Sequence, residues 1–222
     1  IIDLTELLGP LVLPGNETSV VEVGKISLTG ENGLWGKGLI LQDTYSPRTI
    51  CASITVLEKN AEKNAEAKFH GPIAGSIWFR WLGGNAGDST TDTVIYTNLH
   101  HTAKQKLSSV DFTEHHWKIY VTDIFGIGRG KDDCTVLQSV FDPDDSGSGK
   151  SIGDVDSRLG KIRVAVDTRK KQKTAYRDPV ISLLPADLLG SHRNLYVVIF
   201  HPTHTDSVLA CAKIKNRKFS LA

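Results

Sequence analysis

Residues 3–13 and 154–164 carry one pattern, and this repetition constrains the chain more than any other feature. The first stretch has Asp3, Leu8-Gly9, Leu11 and Leu13; the second has Asp154, Leu159-Gly160, Ile162 and Val164 at identical spacing. Further anchors follow in the same order after closely matched gaps. Ile26-Ser27-Leu28 corresponds to Ile181-Ser182-Leu183, Leu39-Ile40-Leu41 to Tyr196-Val197-Val198, and Cys51-Ala52-x-Ile54 to Cys211-Ala212-x-Ile214. Ordered self-similarity of this kind marks a structural unit used more than once. Residues 1–57 are therefore expected to be the C-terminal portion of a first copy. The length agrees, since 222 residues divided by a typical domain of about 150 gives about one and a half domains.

The repeated unit reads as β-structure. Val94-Ile95-Tyr96, Trp117 to Val121, Val164-Ala165-Val166 and Leu195 to Phe200 are short runs rich in β-branched and aromatic residues. Such side chains favour a pleated surface, and Gly, Asp, Asn or Pro clusters bound most of the runs. Gly71-Pro72 reads as a turn feeding the alternating strand Ile73 to Phe79. Phe141 to Lys150 reads as a polar loop. Only Glu58 to Lys68, with its Ala, Glu and Lys, has helix-like composition, and it lacks a sustained apolar stripe. Many strands with almost no helix predict an all-β Greek-key barrel or sandwich.

Charge and composition exclude several functions. Lys and Arg number 26 against 25 Asp and Glu, a net charge of +1. That balance argues against a nucleic-acid partner and against a polybasic membrane anchor. No apolar run reaches the roughly 18 residues of a membrane span. Met is absent, so Ile1 is read as a processed, trimmed or merely first-visible residue. Asn16-Glu17-Thr18 is a glycosylation sequon, which points to a secreted origin with Asn16 as the acceptor. Of the cysteines Cys51, Cys134 and Cys211, an odd count leaves one thiol free or paired outside the chain.

At this point the residues resemble the Cu/Zn superoxide dismutase family. Ala67 to Phe79, with His70-Gly71-Pro72 at its turn, is similar to that family's first hairpin. Ile152-Gly153-Asp154 followed by Leu159-Gly160 resembles its zinc-loop exit. Val180 to Leu183 and Leu209 to Ile214 resemble its last two strand regions, and Cys134 with Phe141-Asp142-Pro143 its disulfide loop and following turn. The resemblance implies a Greek-key barrel over 66–215, a linker at 58–65, a first partial copy at 1–57 and a tail at 216–222. It also implies a Cys134–Cys211 disulfide. Cys51 is the counterpart of Cys211 in the first copy, so either its partner lies outside the chain or it is a buried, inert thiol.

Members of that family hold copper through imidazoles and zinc through imidazoles and one carboxylate. The resemblance places Tyr120 and Thr122 where a copper-binding His-x-His pair would stand, on one face of a strand because residues i and i+2 point the same way. Val140 stands where the bridging His would be, and Ser151 where a zinc His would precede Asp154. The last copper ligand falls near Val198 or Ile199, and near Gln42 in the first copy. A substrate-guiding Arg becomes Val208, whereas Arg48 survives in the first copy. Asp154 is then a relic ligand, or a solvated carboxylate at a turn. A copper site needs several nitrogen ligands converging on one ion. The expectation is a pseudoenzyme without cofactor.

Other candidates are weaker. His70, His100, His101, His115, His116, His192, His201 and His204 read as surface residues at strand ends, with His201 and His204 the best-spaced pair for an adventitious metal. The segment Lys161 to Lys173 is basic, and Arg169 to Lys173 within it reads as a hairpin tip where charge keeps an edge solvated. Two functions stay in competition. The first is a non-catalytic extracellular module acting as scaffold, adhesion or recognition unit. The second is an extracellular metal-binding or antioxidant protein using surface histidines. The expected partners are a protein, further repeats of the same polypeptide, or another chain docked on the incomplete first copy.

Overall fold

The computed structural model describes residues 3–10, 34, 37–43, 45–54, 62–82, 93–103, 110–122, 134–143, 145, 151–168, 173–183, 194–204 and 206–217. Their order is α1 (Thr5–Leu8), β1 (Gly38–Gln42), β2 (Thr49–Ser53), β3 (Glu62–His70), β4 (Ile73–Leu82), β5 (Thr93–His101), β6 (Phe112–His115) and β7 (Trp117–Thr122). A 3-10 turn at Cys134–Val136 precedes β8 (Ser139–Val140), α2 (Val155–Leu159), β9 (Ile162–Ala165), β10 (Lys173–Asp178), β11 (Asn194–Phe200) and β12 (Val208–Arg217). The all-β class expected from the strand runs is the observed one.

Ten strands form one curled sheet in the order β6-β9-β5-β4-β3-β12-β11-β7-β8, with β10 also on β5. Strands β3, β4 and β5 are an antiparallel meander. The chain then leaves β5, and β7 pairs with β11 rather than with its predecessor. Strand β10 returns to β5, and β12 closes onto β3. Neighbours distant in sequence joined this way are the Greek-key connection. Alternate residues face one core, which includes Phe69, Ile77, Phe79, Ile95, Leu99, Trp117, Ile119, Ile162, Val197 and Ile199. Trp117 is fully buried, and its indole N–H donates to the Gly160 carbonyl at 2.9 Å.

Three expectations need correction. Residues 62–65, assigned to a helix-like linker, belong to β3 and pair with Leu82 back to Phe79. Ala65, Ala67 and Phe69 are buried with less buried neighbours between them. This period of two matters more than the helix preference of Ala, Glu and Lys, because cross-strand packing decides strand formation. Val180 to Leu183 carries no strand; Ile181 and Leu183 enter the core while the Thr93 hydroxyl donates to the Ile181 carbonyl. Phe141, placed in a polar loop, is 2% exposed and part of the core.

Gly75 permits close strand approach. Its φ is +119°, and a Cβ there would lie 2.0 Å from the Asn98 carbonyl oxygen. Two parallels connect the beginning of the chain with its end. Helical turns α1 and α2 both stop at glycine, Gly9 at φ 75°, ψ 176° and Gly160 at φ 77°, ψ −176°. Their N–H groups donate to Thr5 and Asp156 carbonyls respectively, each at 2.9 Å. The positive φ is the reason that both positions favour Gly. The second parallel lies in the hairpins: Ile40 opposes Cys51 in β1–β2, and Val198 opposes Cys211 in β11–β12.

Candidate functional site

Strand β7 has two faces. Trp117, Ile119 and Val121 enter the core, so Lys118, Tyr120 and Thr122 point to the opposite side. Cross-strand register sets Val140 opposite Tyr120, Tyr196 opposite Tyr120, and Val198 opposite Lys118. The positions singled out in the sequence, Tyr120, Thr122, Val140 and Val198, are thus brought to one outer face. Ile199, the alternative to Val198, points into the core.

An apolar cluster covers part of this face. Val198, Phe200 and Cys211 are buried there, with Tyr120, Cys134, Leu137 and Tyr196 packed against them. The Tyr120 and Phe200 rings lie 6.2 Å apart between centroids. Burial holds the Tyr120 phenol above its usual titration range. Cys134 and Cys211 are joined by a disulfide with a Cα–Cα distance of 5.8 Å, which ties the 3-10 turn to β12 across the face.

Asp154 is buried rather than solvated, at 3% exposure. It occupies the N-cap position of α2, yet its side chain makes no cap hydrogen bond. Its carboxylate instead meets the Lys118 ammonium at 2.5 Å. Burial works against the Lys118 charge, but the hydrogen bond and charge of Asp154 outweigh it and raise the lysine above its ordinary range. Ser151 is also buried, and its hydroxyl has no hydrogen-bond partner among the described residues.

Backbone contacts hold this segment in place. The Ile119 N–H donates to the Gly153 carbonyl, the Gly153 N–H to the Phe141 carbonyl, and the Phe141 N–H to the Ile119 carbonyl, at 2.9, 2.8 and 2.9 Å. A Cβ on Gly153 would lie 2.5 Å from the Ile119 oxygen and 2.8 Å from the Phe141 nitrogen and oxygen. Gly153→Ala is accordingly expected to cost about 2 kcal/mol through overpacking, read as a lower denaturant midpoint. The Arg158 guanidinium adds donations to the Ser151 and Ile152 carbonyls at 2.8 and 2.7 Å, and pairs at 2.9 Å with the buried Asp178 carboxylate.

The remaining candidates separate. Among the described residues no three His, Cys, Asp or Glu come together as a metal group. His201 is half-buried, while His204 and His70 are exposed. Cys51 is exposed, which removes the buried-thiol alternative and leaves a free thiol or one paired outside the chain. Strands β9 and β10, on either side of the basic tip, both pair with β5, and residues 169–172 of that tip lie outside the described residues. Arg163 pairs with Glu114 at 3.2 Å and sits over the Phe112 ring. Asn16 and His192 lie outside the described residues.

The histidines at the strand ends hold the feature that sequence reading missed. His101 and His115 are 7% and 1% exposed, not surface residues. Their signal was parity: His101 continues the buried alternation Ile95, Thr97, Leu99, and His115 lies two residues before Trp117.

No family model and no curated protein matches the sequence. Among solved structures, superoxide dismutase 5 of Candida albicans in its copper(II) form is similar, at 21% identity and a TM-score of 0.45, over 69% of this chain and 91% of that one. A point variant of the same enzyme gives the same identity and TM-score over 69% of this chain and 88% of its own.

Proposed function

We propose that this is an extracellular protein that carries superoxide-dismutase-like repeats, and that the barrel over 66–215 is a non-catalytic scaffold or recognition module. The observation that carries this reading is the Lys118–Asp154 ion pair. A carboxylate that in the resembled family serves a metal is here engaged by an ammonium group of the chain itself. On the same face Tyr120, Phe200 and the disulfide form an apolar layer. Tyr120, Thr122, Val140, Ser151 and an already paired Asp154 do not fit a copper or zinc centre, which requires several converging nitrogen ligands. The matching glycine caps of α1 and α2, and the matching registers opposite Cys51 and Cys211, support the tandem arrangement. The disulfide and the sequon at Asn16 support an oxidising, extracellular setting.

The partner class that follows is protein, either neighbouring repeats or a receptor-like surface. Superoxide dismutation needs a metal that cycles between oxidation states. Protein incubated with copper and zinc, then freed of unbound ions, is expected to dismutate superoxide no faster than buffer. A metal-dependent rate that survives removal of free ions would overturn the non-catalytic reading.

A further inference from the structure

His101 ends β5 and His115 ends β6, the two strands that flank β9. Their Nε2 atoms meet at a single hydroxyl, each 2.7 Å from Thr113 Oγ1. The rings are 5.5 Å apart between centroids and inclined at 52°. His115 Nδ1 lies 2.8 Å from the carbonyl oxygen of Phe200, at the end of β11. Four elements of the sheet therefore converge on two buried imidazoles and one hydroxyl.

Chemistry orders the protons. A carbonyl can only accept, so His115 Nδ1 carries a hydrogen and donates to Phe200. The Nε2 of that neutral ring must then accept, and among the described residues the hydrogen it receives is that of the Thr113 hydroxyl. Thr113 in turn accepts from the Nε2–H of His101. Donation runs from His101 to Thr113 to His115 to Phe200, with every bond in use. A proton on His115 Nε2 would reverse that bond, so that Thr113 accepts from His115 and its own hydrogen must turn to His101 Nε2, which accepts only after its proton has moved to Nδ1, or to the Val164 carbonyl. The Val164 carbonyl, 3.4 Å distant, is a poor substitute acceptor. A proton on His101 would place a charge beside the second ring, largely removed from water.

We propose that His101, Thr113 and His115 form a proton-operated latch that holds edge strand β6 to the sheet when both rings are neutral and releases it on acidification. The surrounding charges favour release. His100 on β5, Lys161 beside β9 and His201 beyond β11 all oppose a further positive charge. On β6, Glu114 is engaged by Arg163 of β9, and the adjoining His116 is engaged by Asp156 at 2.7 Å. Burial foremost, then the charges of His115 and His100, push His101 down to about 4. Burial also lowers His115, with partial opposition from the Phe200 carbonyl. Unfolded imidazoles take up protons near pH 6.5. The latch's stabilisation is thus complete above that pH and is lost as the pH falls toward about 4. His101 alone would lower the latched-to-released ratio on the order of a hundredfold across that interval, because release restores its ordinary proton affinity. Release would bare the free edge of β9, an unpaired row of backbone groups able to accept another strand.

Amide exchange of the full chain, corrected for intrinsic rates, tests the latch. Protection at Thr113, Glu114 and His115 is expected to fall at least about tenfold between pH 6.5 and 4.5, with Ile77 and Phe79 of β4 retaining theirs. His101→Gln keeps a donor toward Thr113 but cannot titrate, so its β6 protection should fall less than that of wild type at pH 4.5, only His115 being left to take up a proton. His70→Gln, at an exposed ring outside the cluster, should behave as wild type. Equal loss in wild type and His101→Gln, or no loss in wild type, would overturn the proposal. Should His101→Gln fail to fold, imidazole titration of the wild type by NMR decides. Midpoints well below the ordinary 6.5 support the latch, and midpoints near 6.5 for both His101 and His115 refute it.

Discussion

Replacing Lys118 by methionine is expected to cost about 3 kcal/mol of stability at neutral pH, because it leaves a buried carboxylate without its counter-ion. The lysine side chain is 30% exposed, whereas that of Asp154 is 4% exposed, so the penalty falls mainly on the acid. Methionine preserves most of the aliphatic volume beside the outer face, and lost packing is therefore a minor part of the effect. The sign of the pH response identifies the cause. In Lys118→Met, protonating the stranded carboxylate relieves the penalty, so the variant should approach wild type as the pH falls into the carboxyl range. Adding Asp154→Asn should recover much of the loss at neutral pH, and the resulting cycle isolates the pair from its surroundings. Denaturant titration of the four proteins reads all of these outcomes. A loss below about 0.5 kcal/mol would match an ordinary surface pair and would remove the ion pair from the account.

Opening the Cys134–Cys211 disulfide is expected to lower stability by about 4 kcal/mol, the chain-entropy value for a closed loop of this length. The bond joins positions 77 apart in sequence. Its loop contains β8, α2, β9, β10 and β11, all of which must be gathered again when the unfolded chain is no longer crosslinked. Cys211 is also 1% exposed in the apolar cluster, so paired Cys134→Ser and Cys211→Ser substitutions would bury a hydroxyl in addition. Reduction therefore gives the cleaner measurement. The denaturant midpoint should shift down under reductant, and an unchanged midpoint would contradict the prediction. Before reduction, exposed Cys51 should be the one thiol that reacts with an alkylating reagent under native conditions.

How far the fold was legible depended on whether local pattern and tertiary environment agree. Strands β5, β7 and β11 are visible in sequence because their β-branched and aromatic residues alternate between core and outside. Strand β3 was obscured by Ala, Glu and Lys, residues whose intrinsic preference is helical. Its small alanines are buried because β4 and β12 lie against them, and no local signal reports those neighbours. The outer face was legible as a set of positions, since strand parity puts Tyr120 and Thr122 together. Its occupant was not legible. Lys118 carries no motif, and its role emerges only when α2 brings Asp154 beside β7. The histidines show a related failure. Charge capacity suggested a surface location, while parity with Leu99 and Trp117 indicated the core.

The central claim is that a lysine–aspartate pair and an apolar cluster stand where the resembled family holds its metals. Metal content tests it most directly. The full chain would be equilibrated with excess copper and zinc, passed through gel filtration and measured by elemental mass spectrometry. The account predicts retention far below one ion of either metal per chain, with an unchanged unfolding midpoint. One copper or zinc retained per chain, accompanied by a raised midpoint, would contradict it.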